Sequence, residues 1–336
     1  MNTVIFRVDA YKEIGYGHLI RSLALAEEFK RQNDKVIFAL NVDKFCLRLV
    51  GDYQIETVIM KNKAGNEKDI EDVLSLLNKY ESPLFIHDNY FIDFEYETSI
   101  DNTKRIIAFD DIADRVFSSD VIINQNYGAE KLDYKVVNSH VKFLCGHKYV
   151  VLRDEILQNR NIREIKDVEN ILILFGGTDN SGLSFKVLQW MSKYIKCNVV
   201  FNILINKTHA DVKKLYELKF IDKRIKIWHN IKNMGRFINK MDLAITAAGS
   251  IVWELLYIGV PTVSFVLADN QLYIAKNLND DNYIISLGSF SDNKRDVFIE
   301  TLLDLINDRD KRKFMIKKGQ SLIDGFGKKR IREYLL

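Results

Sequence analysis

The stretch Gly15-Tyr16-Gly17-His18-Leu19-Ile20-Arg21 follows the apolar run Val4-Ile5-Phe6 and precedes a helix-forming run at 22–31. This order predicts a glycine-rich turn between the first strand and the first helix of an α/β fold. Ligands of such folds bind beyond the carboxyl ends of the strands. The imidazole of a histidine on this turn can act as a general base and take a proton from water. The alternative is that His18 only starts the helix, held by local hydrogen bonds.

The bulk composition excludes several classes of protein. The 336 residues suggest two domains, and 47% hydrophobic with 28% charged residues is ordinary for a soluble globular protein. A formal net charge of +3 is too balanced to indicate nucleic-acid binding. The three separated cysteines form neither a metal motif nor a disulfide framework, which favours a reducing cytoplasm. No apolar run approaches the ~20 residues of a membrane span, and no signal region opens the chain.

Strand and helix patterns alternate through the first half of the chain. Strands are predicted at 4–8, 35–40, 84–87, 105–109 and 120–123, with helices at 22–31 and 69–80. This rhythm indicates a mostly parallel sheet. Asp88, Tyr90, Asp110 and Asp111 follow strand ends, so we expect them at the same edge as His18. Asp110 and Asp111 could instead cap a turn.

The pattern restarts after a charged segment at 157–170, which is the predicted linker and hinge. A buried strand at 171–175 leads into Gly176-Gly177-Thr178, and a helix follows at 183–194. Further strands are predicted at 199–205, 225–228, 243–246 and 262–266. We therefore predict Rossmann-like domains at 1–157 and 168–336, with the final helical run, 308–335, packing back on the first domain.

The strongest local pattern of the second half is Ala247-Ala248-Gly249-Ser250, followed by Glu254. Small residues between a strand and a helix let the helix N-terminus approach an anion, and its free N–H groups suit a phosphate. Ser250 is a candidate helix cap, and Gly259-Val260-Pro261 predicts the helix end. Glu254 is a candidate ligand of sugar hydroxyls, or a residue that merely complements the helix dipole.

Two nucleotide motifs are absent. Gly15-Tyr16-Gly17-His18-Leu19-Ile20 has isoleucine where a dinucleotide fingerprint needs its third glycine. The lysine-bearing phosphate loop is also missing after Gly176-Gly177.

Ten motifs follow one another along the chain from residue 4 to about residue 280. They are Phe6-Arg7-Val8-Asp9-Ala10, Gly15-Tyr16-Gly17-His18 with Arg21, His87-Asp88-Asn89-Tyr90, Asp110-Asp111-Ile112-Ala113-Asp114-Arg115, Asn124-Gln125-Asn126, Gly146 to Arg153, Phe175 to Asp179, Ala247-Ala248-Gly249-Ser250 with Glu254, Gly259-Val260-Pro261 and Ala268-Asp269-Asn270-Gln271. Taken in this order, they resemble the motifs of the GT-B glycosyltransferase superfamily and, within it, of the PseG/SpsG group of UDP-sugar hydrolases and spore-coat relatives.

The resemblance implies a GT-B fold, with two Rossmann-like domains facing across a cleft. It implies hydrolysis of UDP-2,4-diacetamido-2,4,6-trideoxy-β-L-altrose in pseudaminic acid biosynthesis, without metal or cofactor. His18 would activate a water molecule, whose attack would invert the anomeric carbon. Asp9 or Asp88 would orient His18. The expected substrate-binding residues are Arg7, Asp9, Gly17, Arg21, Tyr90, Asn270 and Gln271. The expected nucleotide-binding residues are Gly176, Gly177, Thr178, Ala248, Gly249, Ser250 and Glu254.

Two other functions fit the same motifs. A glycosyltransferase of this fold would use a sugar or lipid hydroxyl in place of water, and activity without an acceptor separates the two. A silent nucleotide-sugar-binding protein would bind UDP without turnover. The histidine in the Gly-x-Gly-His turn argues against the silent protein. The sequence leaves the oligomeric state open.

Overall fold

The computed structural model describes residues 2–11, 15–100, 104–176, 179, 182–207 and 209–336. The chain forms two compact units, each built around its own parallel sheet. Unit 1 comprises Met1–Arg153 and Gly325–Leu336, and unit 2 comprises Asp154–Asp324. The division falls a few residues before the expected linker, because the short helix at Asp154–Leu157 belongs to unit 2.

Unit 1 alternates strands with helices as the sequence predicts. Its elements are β1 (Thr3–Ala10), α1 (Gly17–Arg31), β2 (Lys35–Val42), α2 (Lys44–Asp52), β3 (Glu56–Ile59), α3 (Glu67–Leu77), β4 (Leu84–Asp88), α4 (Phe94–Ser99), β5 (Arg105–Phe109), β6 (Val116–Phe117), β7 (Val121–Asn124), β8 (Lys135–Val136) and β9 (Lys142–Cys145). In the described residues, the main sheet has the order β3-β2-β1-β4-β5-β7-β9, and all of its strand pairs are parallel.

The order of the strands in unit 1 fixes where a ligand can reach the sheet. The chain runs outward from β1 to β3 on one side and from β4 to β9 on the other, so the direction reverses between β1 and β4. Ligands of open α/β sheets bind at such a reversal, beyond the carboxyl ends of the strands. Val8 of β1 pairs with Asp88 of β4 at that end. The reversal therefore brings Asp88 beside the start of α1.

Unit 2 repeats this plan. Its elements are α5 (Asp154–Leu157), β10 (Asn170–Leu174), α6 (Leu183–Tyr194), β11 (Val200–Leu204), α7 (Val212–Ile221), β12 (Ile225–Trp228), α8 (Met234–Ile238), β13 (Leu243–Ala247), α9 (Ile251–Ile258), β14 (Thr262–Val266), α10 (Leu272–Asp280), β15 (Ile285–Ser289), α11 (Arg295–Asn307) and α12 (Arg309–Leu322). The sheet order is β12-β11-β10-β13-β14-β15, with the reversal between β10 and β13.

Apolar side chains on both faces of each sheet supply the cores. In unit 1, Phe6 of β1 stacks on Phe38 of β2 with 4.8 Å between ring centroids, and both rings are fully buried. In unit 2, Phe265 and Phe298 pack with 5.7 Å between centroids. Strands that are covered on both faces read as continuous apolar runs, which is why their positions are predictable from sequence.

Helix α1 begins earlier than the sequence suggests. The predicted helix starts at 22, whereas the observed helix starts at Gly17, so His18 lies in its first turn and not on the preceding turn. Gly15, two residues before the helix, has a φ of +82°, a conformation that favours glycine. Tyr16 at the N-cap position accepts no hydrogen bond with its side chain, so capping residues give no signal for this helix start.

The chain returns to unit 1 through its last helix, α13 (Gly327–Leu335). The preceding helix, α12, instead packs on α9 within unit 2. The expectation that the whole run 308–335 packs on the first domain was therefore too broad. Arg332 donates to Asp34 at 2.7 Å, and Arg105 donates to the carbonyl of Leu335 at 2.6 Å. These bonds hold α13 against the rest of unit 1.

Gly327, the first residue of α13, packs closely against the backbone of Tyr149 and Val150. A Cβ at Gly327 would lie 2.1 Å from the backbone oxygen of Val150, and backbone cannot move aside cheaply. We expect Gly327→Ala to destabilise unit 1 by about 1–3 kcal/mol, the usual cost of overpacking. Urea unfolding followed by circular dichroism measures the change.

Gly51→Ala is the matched control. Gly51 is also helical, and a Cβ there meets nothing within 4 Å. Alanine is the better helix former by roughly 0.5–1 kcal/mol, so this variant should be as stable as the parent or more so. Equal stability of the two variants would show that α13 is not held closely at Gly327.

Candidate active site

His18 is held by a buried carboxylate. Its Nδ1 lies 2.6 Å from Oδ1 of Asp88, which ends β4 and is 1% exposed. The His18 side chain retains 14% of its surface. The ring of Tyr90 meets the imidazole edge to face, with 4.8 Å between centroids. Of the two aspartates expected to orient His18, Asp88 makes the contact, while Asp9 bonds to other groups.

The contact with Asp88 assigns the proton of His18. Burial alone would raise the pKa of Asp88, but Arg21 and His18 outweigh it and hold this pKa well below its usual value. Asp88 is therefore ionised and can only accept hydrogen bonds. Nδ1 must carry a proton to make the 2.6 Å bond, so in the neutral imidazole the lone pair lies on Nε2. Arg21 Nη2 also lies 3.1 Å from Nδ1, but the protonated Nδ1 has no lone pair for it.

Arg21 ties Asp88 to a second aspartate. Its Nε donates to Asp88 at 2.6 Å, and its Nη1 donates to Asp111 at 2.8 Å. The guanidinium also lies 4.9 Å from the ring centroid of Phe109. Tyr90 donates from its hydroxyl to Asp111 at 2.7 Å. One guanidinium thus joins helix α1, the end of β4 and the segment after β5.

The charges of this cluster stabilise one another. Burial would raise the pKa of Asp111, but Arg21 outweighs it and lowers this pKa. Burial would lower the pKa of Arg21, and the two carboxylates instead raise it well above its usual value. Arg21 was predicted to bind substrate, but its guanidinium is engaged with Asp88 and Asp111 and the residue is 6% exposed. We therefore assign it to positioning His18 and Tyr90.

Asp110 behaves differently from its neighbour Asp111. Its Oδ2 accepts the backbone N–H groups of Ile112 and Ala113, which is the turn-capping role considered from the sequence. Burial raises the pKa of Asp110 to about 6. The two adjacent aspartates therefore have opposite electrostatic roles, one neutralised by an arginine and one buried beside a turn.

Arg7 and Asp9, also predicted to bind substrate, lie in a separate buried network. Arg7 is 0% and Asp9 1% exposed. Arg7 donates to Asp69 at 2.9 Å and pairs with Asp9, whose other oxygen accepts the N–H of Ala64 at 2.9 Å. Tyr96 donates to Asp69 at 2.7 Å. These bonds connect β1 to α3, so we replace the predicted role with a structural one. Strand periodicity had not revealed that both side chains point inward.

The predicted nucleotide residues of unit 2 lie where its chain direction reverses. Ala248, Gly249 and Ser250 connect β13 to α9, and Ser250 occupies the N-cap position without a side-chain capping bond. Glu254 lies in the first turn of α9 and is 7% exposed. Gly259 ends the helix in the left-handed conformation, with φ of +85°, as predicted. Backbone N–H groups at this helix start can bind an anion.

Of the remaining predicted residues, Gly176 follows β10, and Asn270 and Gln271 follow β14. Gly176 has a φ of +87°, a conformation that favours glycine. Gly177 and Thr178 lie outside the described residues. Asn270 and Gln271 lie in a short 3₁₀ helix, Asp269–Gln271, where Gln271 accepts the N–H of Leu267 at 2.9 Å. Gly17 is the first residue of α1.

Asp88 and Asp111 were both expected at the edge of the sheet that carries His18, and Asp88 was also a candidate for orienting His18, but Asp111 was given no role in the site. Their position was the available signal, because carboxyl ends of adjacent parallel strands meet at one edge. Within the described ranges, no group of three or more His, Cys, Asp and Glu side chains is arranged to hold a metal ion. In the same ranges, no helix has both the length and the apolar character of a membrane span.

Three curated proteins illustrate the sequence similarity. The chain is 26% identical over 271 residues to a UDP-2,4-diacetamido-2,4,6-trideoxy-β-L-altropyranose hydrolase of Campylobacter jejuni, covering 80% of the chain and 93% of the relative. It is 26% identical to the spore coat polysaccharide biosynthesis protein SpsG of Bacillus subtilis, covering 97% and 95%. An uncharacterized protein of Methanocaldococcus jannaschii is 28% identical over 277 residues. The match covers 79% of the chain but only 55% of that longer protein. No protein-family model matches the chain.

Solved structures show the same fold. The spinosyn rhamnosyltransferase SpnG, complexed with thymidine diphosphate, superposes with a TM-score of 0.70 at 10% identity, covering 100% of both chains. Acinetobacter baumannii MurG gives 0.67 at 16% identity over 99% of both chains. The Staphylococcus aureus MnaA–UDP structure gives 0.68 at 12% identity, covering 100% of this chain and 96% of the other. The predicted GT-B fold with parallel sheets is confirmed.

The opposite pKa shifts of Asp110 and Asp111 can be tested through the pH dependence of the free energy of unfolding. At about pH 7 the raised pKa of Asp110 costs stability, because the unfolded chain ionises this carboxyl more easily. The cost appears as the pH rises through about 4 to about 6. Asp110→Asn should therefore stabilise the protein near neutral pH by on the order of 1–2 kcal/mol and flatten this part of the profile.

Asp111→Asn is the matched variant with the opposite sign. The lowered pKa of Asp111 contributes stability above its unfolded pKa near 4, which is lost as the pH falls through its folded value. Removing this partner of Arg21 should cost about 3 kcal/mol at neutral pH. Urea titrations across this pH range measure both variants. The same sign of change for both would contradict the assignment.

Proposed function

The chain is a member of the PseG/SpsG family with the GT-B fold, and we propose that it hydrolyses a UDP-linked diacetamido sugar to UDP and the free sugar. The observation that carries this proposal is the hydrogen bond of 2.6 Å between His18 Nδ1 and the ionised Asp88. It leaves Nε2 as a base at the ligand-binding edge of the sheet. The substrate that we propose is the one named for the Campylobacter relative.

The reaction needs one base and one anion site. His18 Nε2 takes a proton from water as the water oxygen attacks the anomeric carbon, while Asp88 stabilises the imidazolium that forms. The bond from that carbon to the UDP oxygen breaks, and UDP leaves with the electron pair. Attack from the face opposite UDP inverts the carbon. UDP is a stable anion, so no second acid is required on its side.

The remaining residues have binding roles in this proposal. We assign the UDP phosphates to the N-terminus of α9, because the small residues Gly249 and Ser250 precede it and the positive end of a helix dipole favours an anion. Gly176, Gly177, Thr178 and Ala248 complete the proposed nucleotide-binding set. Glu254 is the proposed ribose ligand.

The sugar has its own proposed ligands. Tyr90 is fixed by its bond to Asp111 and meets the His18 ring, so we assign it to orienting the sugar beside the base. Asn270, Gln271 and Gly17 are the other proposed sugar-binding residues.

His18→Asn tests the base directly. The protein is incubated with UDP-2,4-diacetamido-2,4,6-trideoxy-β-L-altrose and EDTA, without an acceptor, and the anomeric protons are followed by NMR. The parent should release a free sugar whose first anomer is inverted. The variant should be slower by about 10²–10⁴-fold, the contribution of a positioned base. His140→Asn, at an exposed histidine of the same unit, should retain full activity.

Running the reaction in ¹⁸O-labelled water separates the bonds that could break. Label in the free sugar supports attack at carbon, and label in UDP would instead place the attack at phosphorus. Turnover only after an acceptor alcohol is added would identify a glycosyltransferase. Binding of UDP with no turnover of any UDP-sugar, with or without acceptor, would identify a silent binding protein.

Asp88→Asn tests the tautomer. An asparagine can turn its amide N–H₂ toward Nδ1, which then accepts and moves the proton to Nε2. We expect kcat to fall on the order of 10²-fold or more with KM little changed, because the imidazole remains but its base is lost. An unchanged kcat would remove Asp88 from the proposal.

A further inference from the structure

Helix α7 exposes an apolar cluster that the proposed function does not use. Phe220 is 78%, Ile221 77% and Tyr216 48% exposed, although they are large apolar or aromatic side chains. The helix packs on the sheet through Leu215, which is 0% exposed. Neighbouring exposed side chains of this size mark interaction surfaces more often than single ones do.

Lysines surround this cluster. Lys213, Lys219 and Lys223 lie on α7 or just beyond it. Lys219 Nζ lies 5.7 Å from the ring centroid of Tyr216, and Lys223 Nζ lies 4.5 Å from that of Phe220. We call these three lysines, together with Tyr216, Phe220 and Ile221, the α7 face.

Two of the three nearby acids are engaged elsewhere. Asp211 pairs with Lys214 at 2.7 Å, and Asp222 pairs with Arg224 at 2.7 Å. Glu217 is the acid on α7 itself. Among the described residues, no carboxylate forms an ion pair with Lys213, Lys219 or Lys223. The three lysines outnumber the one acid that remains, Glu217, so the surface around Phe220 and Ile221 is both apolar and net positively charged.

We propose that the α7 face docks on an anionic lipid surface. Phe220 and Ile221 enter the boundary between headgroups and acyl chains, and the lysines bind lipid phosphates, with their long stems along the aromatic rings. A second copy of the chain fits less well, because a two-fold contact brings the same lysines of both copies face to face. The apolar pair also separates this surface from a purely basic patch, which binds by charge alone.

Vesicle sedimentation tests the proposal. The full chain is spun with vesicles of phosphatidylcholine alone or mixed equally with phosphatidylglycerol. The parent should sediment with the anionic vesicles and be released by salt. Phe220→Ser with Ile221→Ser, and separately Lys219→Gln with Lys223→Gln, should each lower binding on the order of tenfold. Thermal melts confirm that the variants remain folded, and none of the changes touches a residue of the proposed active site.

Phe314→Ser is the matched control. Phe314 is 53% exposed on α12, and Lys318 Nζ lies 5.5 Å from its ring centroid. This variant should bind vesicles as the parent does. Equal loss in the control, equal binding to both kinds of vesicle, or no binding by the parent would overturn the proposal. Binding that needs the lysines but not Phe220 and Ile221, matched by binding to polyglutamate, would point to an acidic protein and also overturn it. The assay needs no turnover, so its result is independent of the proposed hydrolysis.

Discussion

The site of unit 1 depends on one buried guanidinium, that of Arg21. It donates to Asp88 at 2.6 Å and to Asp111 at 2.8 Å, and so joins the first helix to two strand ends. Burying three charges costs solvation, and only their mutual attraction and complete hydrogen bonding repay that cost. The arrangement is therefore stable only when all three are present. This condition also fixes His18 and Tyr90, because each makes its hydrogen bond to one of the two carboxylates.

A second buried arginine, Arg7, also joins two aspartates, in a network that does not include the histidine. Arg7 bonds to Asp69 and Asp9, and the oxygen of Asp9 that remains accepts the N–H of Ala64. The pair of networks shows why charged residues in a motif need not touch a ligand. Arg7 lies within strand β1 and Arg21 lies within helix α1, and the guanidinium of each is bonded to two aspartates. Arg21 holds the two carboxylates that fix His18 and Tyr90, whereas Arg7 holds strand β1 against helix α3.

The fold was largely predictable from sequence, because doubly covered strands appear as apolar runs and glycine marks the turns that leave them. The parallel sheets and the end of α9 at Gly259 follow from such local patterns. The start of α1 was predicted late because its N-cap residue is a tyrosine that makes no capping bond. Small elements such as α4 and the strand β6 escaped detection, since short segments carry too little periodicity.

Side-chain partners were the least predictable part of the candidate site. Sequence position brings Asp88, Asp110 and Asp111 to one edge of the sheet, but it does not say which carboxylate meets an arginine. In the structure Arg21 bonds to Asp111 and lowers its pKa, whereas burial raises the pKa of the adjacent Asp110. Three-dimensional packing makes that distinction, because Arg21 lies 90 residues earlier in the chain than Asp111. A motif can therefore identify the residues of a site while leaving their roles to be decided by the partners that the fold supplies.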